Sequence, residues 1–282
     1  MVFSEPFFLF IFLPLALLLI SISNWIGRGQ RLVILIFSLA FYYWSSGLYV
    51  MVLVTSILVN WWVGCRLEKS RRKRLLFFGL AVNLGTLACF KYSFFVASNW
   101  DAAVGTSSSE FFAAIVLPIG ISFFSFQGSS YLIDVWRGEI RAERNPITFG
   151  AYLSFFPQLI AGPIVRFRDV IEDYRAPKPS WNSAAYGSRR FIHGLAKKVV
   201  IADSVGLVAD ACFNLGAGDL TFTAAWVGAL AYTLQIYFDF SGYSDMALRA
   251  ACRGIWLGAL SCRDAAGGDC LLEGDDTLGP VG

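Results

Sequence analysis

Between Leu32 and Cys65 the chain carries no charged residue. A helix through a bilayer core about 30 Å thick needs roughly 20 apolar residues. The run is therefore too long for one crossing and suited to two, with Ser45-Ser46-Gly47 near its middle reading as a tight turn. Pro6 to Gly27 is uncharged as well. A cleavable signal peptide would start basic and end in small residues, whereas here Glu5 precedes the run and no such site follows, so it reads as a span. Pro14 within it is tolerable, because neighbouring helices can satisfy the freed carbonyl. Composition agrees: 56% of residues are hydrophobic and 15% charged, with a mean hydropathy of +0.59. That excludes an ordinary cytosolic enzyme, which needs more charge on its surface, and a disordered chain.

Further apolar runs follow. Leu75 to Ala97 forms a fourth span, interrupted only by Lys91, and Phe111 to Ile133 a fifth. Asn145 to Val165 is broken by Pro146, Pro157 and Pro163 and reads as re-entrant; Phe155 to Val165 in particular is not expected to be a straight helix. Phe191 to Phe213 mixes apolar residues with Lys197, Lys198, Asp203 and Asp210, and Leu220 to Phe238 is the last strong span. The expected fold class is all-α: a polytopic membrane helical bundle of about seven to eight apolar segments, some broken or re-entrant.

Lys and Arg alternate along the loops. Arg28 and Arg31 follow the first span, Arg66 to Arg74 the third, and Arg137, Arg141 and Arg144 the fifth, while Ser45 to Leu48 and Ser98 to Glu110 carry none. The positive-inside rule then puts the N-terminus outside and the basic loops in the cytoplasm. A net charge of +3 is small, and the six-cation loop reads as a topology signal in contact with membrane lipids, not as a nucleic-acid patch.

The chain changes character at Ala247. Only Trp256 among the aromatics lies beyond it, while Gly, Cys and charge all rise. Residues 1–247 are expected to form the membrane domain and 248–282 an unstructured polar tail. The six cysteines show no CxxC pair, so neither a zinc site nor a disulfide framework is expected. No GxSxG, P-loop or GxGxxG pattern occurs, which removes support for hydrolase, NTPase and dinucleotide readings.

Asp239-Phe240-Ser241-Gly242-Tyr243-Ser244-Asp245 follows the last span directly. Acids near the membrane are costly unless paired or wet, so Asp239, Ser241, Tyr243 and Asp245 are functional candidates, with a solvated helix end as the alternative. In Phe155 to Pro163, Pro157 and Gly162 disfavour a continuous helix, and Gln158 either lines a cavity or bonds a freed carbonyl. Ser122, Ser125 and Gln127 read as polar glue between helices. His193, the only histidine, has no carboxylate three or four residues away and reads as a surface residue.

Four stretches together resemble the membrane-bound O-acyltransferase family, in its bacterial alginate O-acetylase branch: Leu117 to Gly138, Phe155 to Val170, Gly194 to Asp203 and Tyr237 to Ala247. The N-terminal MVFSEPFFLFIFLPL is similar too, and the D-alanine transfer branch shares the likeness. The resemblance implies many helices around a tunnel, with an acyl donor such as acetyl-CoA or another activated acetyl carrier as substrate and no bound cofactor. It implies partners: an extracytoplasmic polysaccharide acetyltransferase and an exopolysaccharide acceptor at the bacterial inner membrane. The family's catalytic histidine lies in a later segment that this sequence lacks, so no catalytic residue is assigned. The chain reads as truncated or frame-shifted after about residue 247, and inactive alone. A transporter and a non-catalytic assembly partner are the alternative readings.

Overall fold

A computed structural model describes residues 5–26, 29–105, 112, 117–159, 166–168, 181–216 and 221–246. The expected tail, residues 248–282, lies outside them, as do Gly162 and Pro163. Helices account for most of the described residues, and none of these forms a strand. The chain is an all-α, polytopic membrane bundle. By length and apolarity the helical stretch Gln30–Ser70 and the helix Lys73–Val104 qualify as membrane spans, with Phe8–Ser23 a shorter apolar helix.

Helix α1 (Leu13–Ile26) is preceded by a π-helical turn, Phe8–Phe12. Pro14 explains the turn: its ring would collide with the carbonyl four residues back, and widening the helix before it relieves the clash. Phe8 and Phe12 then pack against Phe41 and Phe156, with ring centroids 5.5–6.2 Å apart.

The uncharged run folds as expected into α2 (Gln30–Ser46) and α3 (Val50–Ser70), joined by a 3-10 turn at Gly47–Tyr49. The two arms do not close on each other. A short helix enters between them, and Gly150 on it sits where an added Cβ would lie 3.2 Å from Leu35 and 3.4 Å from Ile57. Next comes α4 (Lys73–Val104), which outruns the expected Leu75 to Ala97 at both ends.

Phe111 to Ile133 was expected as one span; Phe112 is helical, but residues 117–120 break the helix, and α5 covers Ile121–Arg137. Pro118 and Gly120 are the cause: the Pro118 carbonyl accepts from the Ile121 N–H, and Gly120 takes φ +76°, which starts the helix afresh. Residues 106–111 and 113–116 lie outside the described residues.

Bilayer lipid is as apolar as leucine, so close packing and interhelical hydrogen bonds hold such helices together. Helices α3, α4 and α5 do this with small residues. A Cβ on Gly64 would meet the Tyr131 ring at 2.6 Å, and one on Gly128 the Asn60 amide at 2.9 Å. Asn60 and Asn83 exchange amide hydrogen bonds of 2.9 and 2.8 Å, and Asn83 also donates to Ser129 at 3.3 Å. The polar glue thus falls on Asn60, Asn83 and Ser129. Of the expected residues, Ser125 lines a cleft, and the buried Gln127 amide nitrogen has no partner among the described residues.

The proline-rich stretch is re-entrant. Helix α6 (Pro146–Leu153) starts with Pro146 in its first turn, capped by Asn145, whose Oδ1 accepts from the Ile147 N–H. Its eight residues rise only about 12 Å, too little to cross. After a break at Ser154-Phe155 comes the single turn α7 (Phe156–Leu159), with Pro157 again near the start. Ser38 accepts the Phe156 N–H at 3.2 Å and so satisfies a donor the break would leave bare. The chain then comes back: Phe167 packs on Tyr131, and Arg168 pairs with Glu139 at 3.0 Å.

The last two spans form a hairpin. Helix α8 (Trp181–Ala196) continues through a π segment, Lys197–Ala202, into α9 (Asp203–Phe213). It therefore starts ten residues before Phe191. Helix α10 (Phe222–Ser244) runs past Phe238, so Asp239 to Ser244 are its closing turns and not a tail to it.

The basic loops meet at one end of the bundle. Arg31 donates to Thr148, the Trp61 indole to the Arg144 carbonyl, and the Trp136 indole to the Arg71 carbonyl. Loops that alternate along the sequence thus share one face, as the charge pattern requires.

Candidate functional site

Contacts join the four singled-out stretches, each to at least one of the others. The first meets the second at Gly120, whose α-carbon hydrogen faces the Leu159 carbonyl with no room for a Cβ. It meets it again where Tyr131 packs on Phe167, at 5.1 Å between ring centroids. The second meets the fourth at Pro157: the buried Tyr243 hydroxyl donates to its carbonyl at 2.9 Å.

The third and fourth stretches face each other across the α8–α10 hairpin. Gly194 and Gly242 allow the backbones to touch: a Cβ on either would come within 2.5–2.7 Å of the other's carbonyl oxygen. Around this contact the charges pair. Lys197 donates to Asp245 at 2.6 Å and to Ser241 at 3.2 Å, Arg190 approaches Asp245 at 3.6 Å, and Lys198 pairs with Asp239. The Asp245 side chain is about nine-tenths buried, while half of Asp239 is exposed. By this geometry the two acids are the electrostatic partners of Lys197 and Lys198.

The structure places the other candidates as follows. Gln158 is half-buried in α7, its backbone N–H donating to Phe155. Pro157, Ser241, Tyr243, Asp239 and Asp245 come together; Gly162 lies outside the described residues. His193 is exposed in the last turn of α8, with no hydrogen bond or ion pair to a described residue. His193→Ala is expected to leave acetyl transfer by a full-length protein at the parent level, measured as ester-linked acetate on polysaccharide. Among the described residues no group of three or more His, Cys, Asp or Glu could hold a metal ion.

Arg190 was not singled out from the sequence, nor was the pairing of Lys197 and Lys198 with particular acids. A signal existed. Two apolar runs joined by a short loop fold back antiparallel, and that register sets the two lysines opposite Asp239 and Ser241.

The sequence matches the profile of the membrane-bound O-acyltransferase family over residues 72–261. The chain belongs to that family. The match runs past Ala247, the end of the fourth stretch. The chain is 43% identical over 255 residues to a protein of Azotobacter vinelandii named "Probable alginate O-acetylase", covering 88% of this chain and 50% of that protein. A peptidoglycan O-acetyltransferase of Helicobacter pylori is 34% identical, with 88% of this chain and 53% of that protein covered. A teichoic acid D-alanyltransferase of Lacticaseibacillus rhamnosus is 30% identical over 46% of this chain and 34% of its own length. The chain thus spans about half the length of the curated O-acetylases it matches. The family's profile covers all four of the converging stretches whole.

The joint between Tyr243 and Pro157 can be tested by itself. Tyr243→Phe keeps the ring and leaves a buried carbonyl without its donor, at a cost of about 1–2 kcal/mol. Thermal unfolding of detergent-purified protein should show the loss. An unchanged midpoint would mean that the hydrogen bond contributes nothing.

Proposed function

We propose that this chain is part of a membrane-bound O-acyltransferase that passes acetyl groups across the bacterial inner membrane for O-acetylation of an exopolysaccharide such as alginate. What chiefly supports the reading is that identity to the alginate O-acetylase extends over 88% of the chain. The likeness to the D-alanyltransferase covers about half as much. The contacts among the four family-like stretches are consistent with it. The donor would be acetyl-CoA or another activated acetyl carrier, entering at the basic end of the bundle. An extracytoplasmic polysaccharide acetyltransferase would receive the acetyl group and deliver it to the polysaccharide. Asp239, Ser241, Tyr243, Asp245, Pro157 and Gln158 would border the substrate region.

Full-length protein expressed in a strain lacking its own O-acetylase is the direct test. Ester-linked acetate should return to the exopolysaccharide and not to peptidoglycan. Acetate recovered on peptidoglycan alone would move the acceptor to the cell wall, and recovery on neither would overturn the assignment.

The proposed orientation puts the N-terminus in the periplasm and Arg66 to Arg74 in the cytoplasm, following the positive-inside rule. Reporter fusions check it: one at Ser70 should behave as cytoplasmic and one at Ser107 as periplasmic. Cytoplasmic activity at Ser107 would reverse the topology.

A further inference from the structure

Helices α3 and α4 lie close at the basic end and part towards the other. Near the base, Gly79 on α4 leaves no space for a Cβ beside Leu132 of α5 and Val63 of α3. Above the Asn60–Asn83 pair the helices splay, and a cleft of about 270 Å³ opens between them. Phe124 and Ser125 of α5 close its back, and the Tyr49–Phe90 edge contact, at 5.8 Å, lies at its far end. Exposure grades from the buried Asn83 and Ser125 to the open Met51 and Thr55, so the mouth faces away from α5. This is the side on which α4 presents its exposed apolar residues.

Most polar side chains of the lining are already engaged. Thr55 donates its hydroxyl to the Met51 carbonyl and Thr86 to the Val82 carbonyl, both at 2.7 Å. Each threonine thus leaves its methyl as the free surface. Both amide hydrogens of Asn83 are used, on Asn60 and Ser129. A polar ligand would find only the Ser56 and Ser125 hydroxyls, whereas a hydrocarbon would find methyls, Met51, Val52, Val59 and Phe90. Lys91, the lone cation interrupting this span, follows Phe90 directly, with its ammonium over the Tyr92 ring at 5.5 Å. A lysine and tyrosine at that level suit the headgroup boundary.

We propose that the α3–α4 cleft binds one acyl chain of a membrane phospholipid, from the leaflet opposite the basic loops, with the phosphate of the same lipid at Lys91. The cleft is smaller than the roughly 300–1,000 Å³ of pockets that enclose a drug-sized ligand, and fits a length of single chain instead. The bound chain would fill the splay between two spans and fix their angle.

A test uses the full chain in nanodiscs containing a phospholipid with a diazirine midway along one acyl chain. After irradiation, labelled peptides should concentrate on residues 51–59 and 82–90. Thr55→Trp, which fills the mouth, should lower that labelling roughly tenfold, the equivalent of about two methylenes displaced. Leu84→Trp, on an exposed position outside the lining, should leave it unchanged. Thr86→Phe serves as a second filling variant, and helical circular dichroism reports whether each variant folds. Labelling spread evenly over the exposed helix faces would overturn the proposal. So would labelling that survives both filling variants.

Discussion

Gly120→Val is expected to destabilise the protein by roughly 3 kcal/mol, the largest effect of any single substitution considered. Two costs add. Gly120 takes φ +76°, where a side chain costs about 1–2 kcal/mol, more for a β-branched one. The new Cβ would also be driven into the Leu159 carbonyl, an overpacking cost of about 1–3 kcal/mol, and backbone cannot swing aside as a side chain can. The damage should reach beyond α5, because that carbonyl belongs to the re-entrant turn that Tyr243 also holds. Gly85→Ala is the matched control. It lies within α4 with nothing inside 4 Å of the added methyl, and should stabilise by about 0.5–1 kcal/mol. Thermal unfolding in detergent, followed by circular dichroism, should separate the two clearly. A Gly120→Val protein that melts with its parent would mean the joint does not exist.

Lys197→Met should cost about 2–3 kcal/mol. Among the described residues it leaves the largely buried Asp245 carboxylate with Arg190 alone, at 3.6 Å, and it removes the donor to Ser241. Breaking a fully buried pair from one side costs about 3–5 kcal/mol; the lower figure reflects Lys197 being one-third exposed. The double variant Lys197→Met with Asp245→Leu should recover much of the loss, because no uncompensated charge then remains. The four unfolding midpoints of this cycle give the coupling directly. Strict additivity would show that the ion pair is incidental to the hairpin.

Much of the fold was legible in the sequence because a bilayer enforces simple rules. Uncharged length gave the α2–α3 pair and its turn at Ser45-Ser46-Gly47, and proline spacing marked the break before Pro157. Charge alternation anticipated the gathering of Arg31, Arg71 and Arg144 at one end. Boundaries set by backbone conformation were missed. Hydropathy is blind to the break at Gly120, after which α5 starts at Ile121, and it ends the last span at Phe238 because Asp239 is charged. The helix continues, since Lys198 neutralises that acid from the neighbouring helix. The candidate site was half visible. Pro157, Asp239, Ser241, Tyr243 and Asp245 stood out as unusual for their surroundings. Their partners, the Tyr243 bond to Pro157 and the reach of Arg190 to Asp245, depend on long-range register that composition does not carry.

The charge pairing within the last hairpin bears on how the protein enters its membrane. A lysine or aspartate at the centre of an inserting helix costs about 2.5–3.5 kcal/mol. Arg190, Lys197 and Lys198 on one arm and Asp239 and Asp245 on the other would each incur a cost of that kind if the arms were delivered separately. Because the acids of α10 meet their cations on the helix just made, the two arms can partition together as a nearly neutral unit. The order of synthesis supplies the cations first and the acids that match them next. The pair need not wait for any other part of the protein before leaving the translocon.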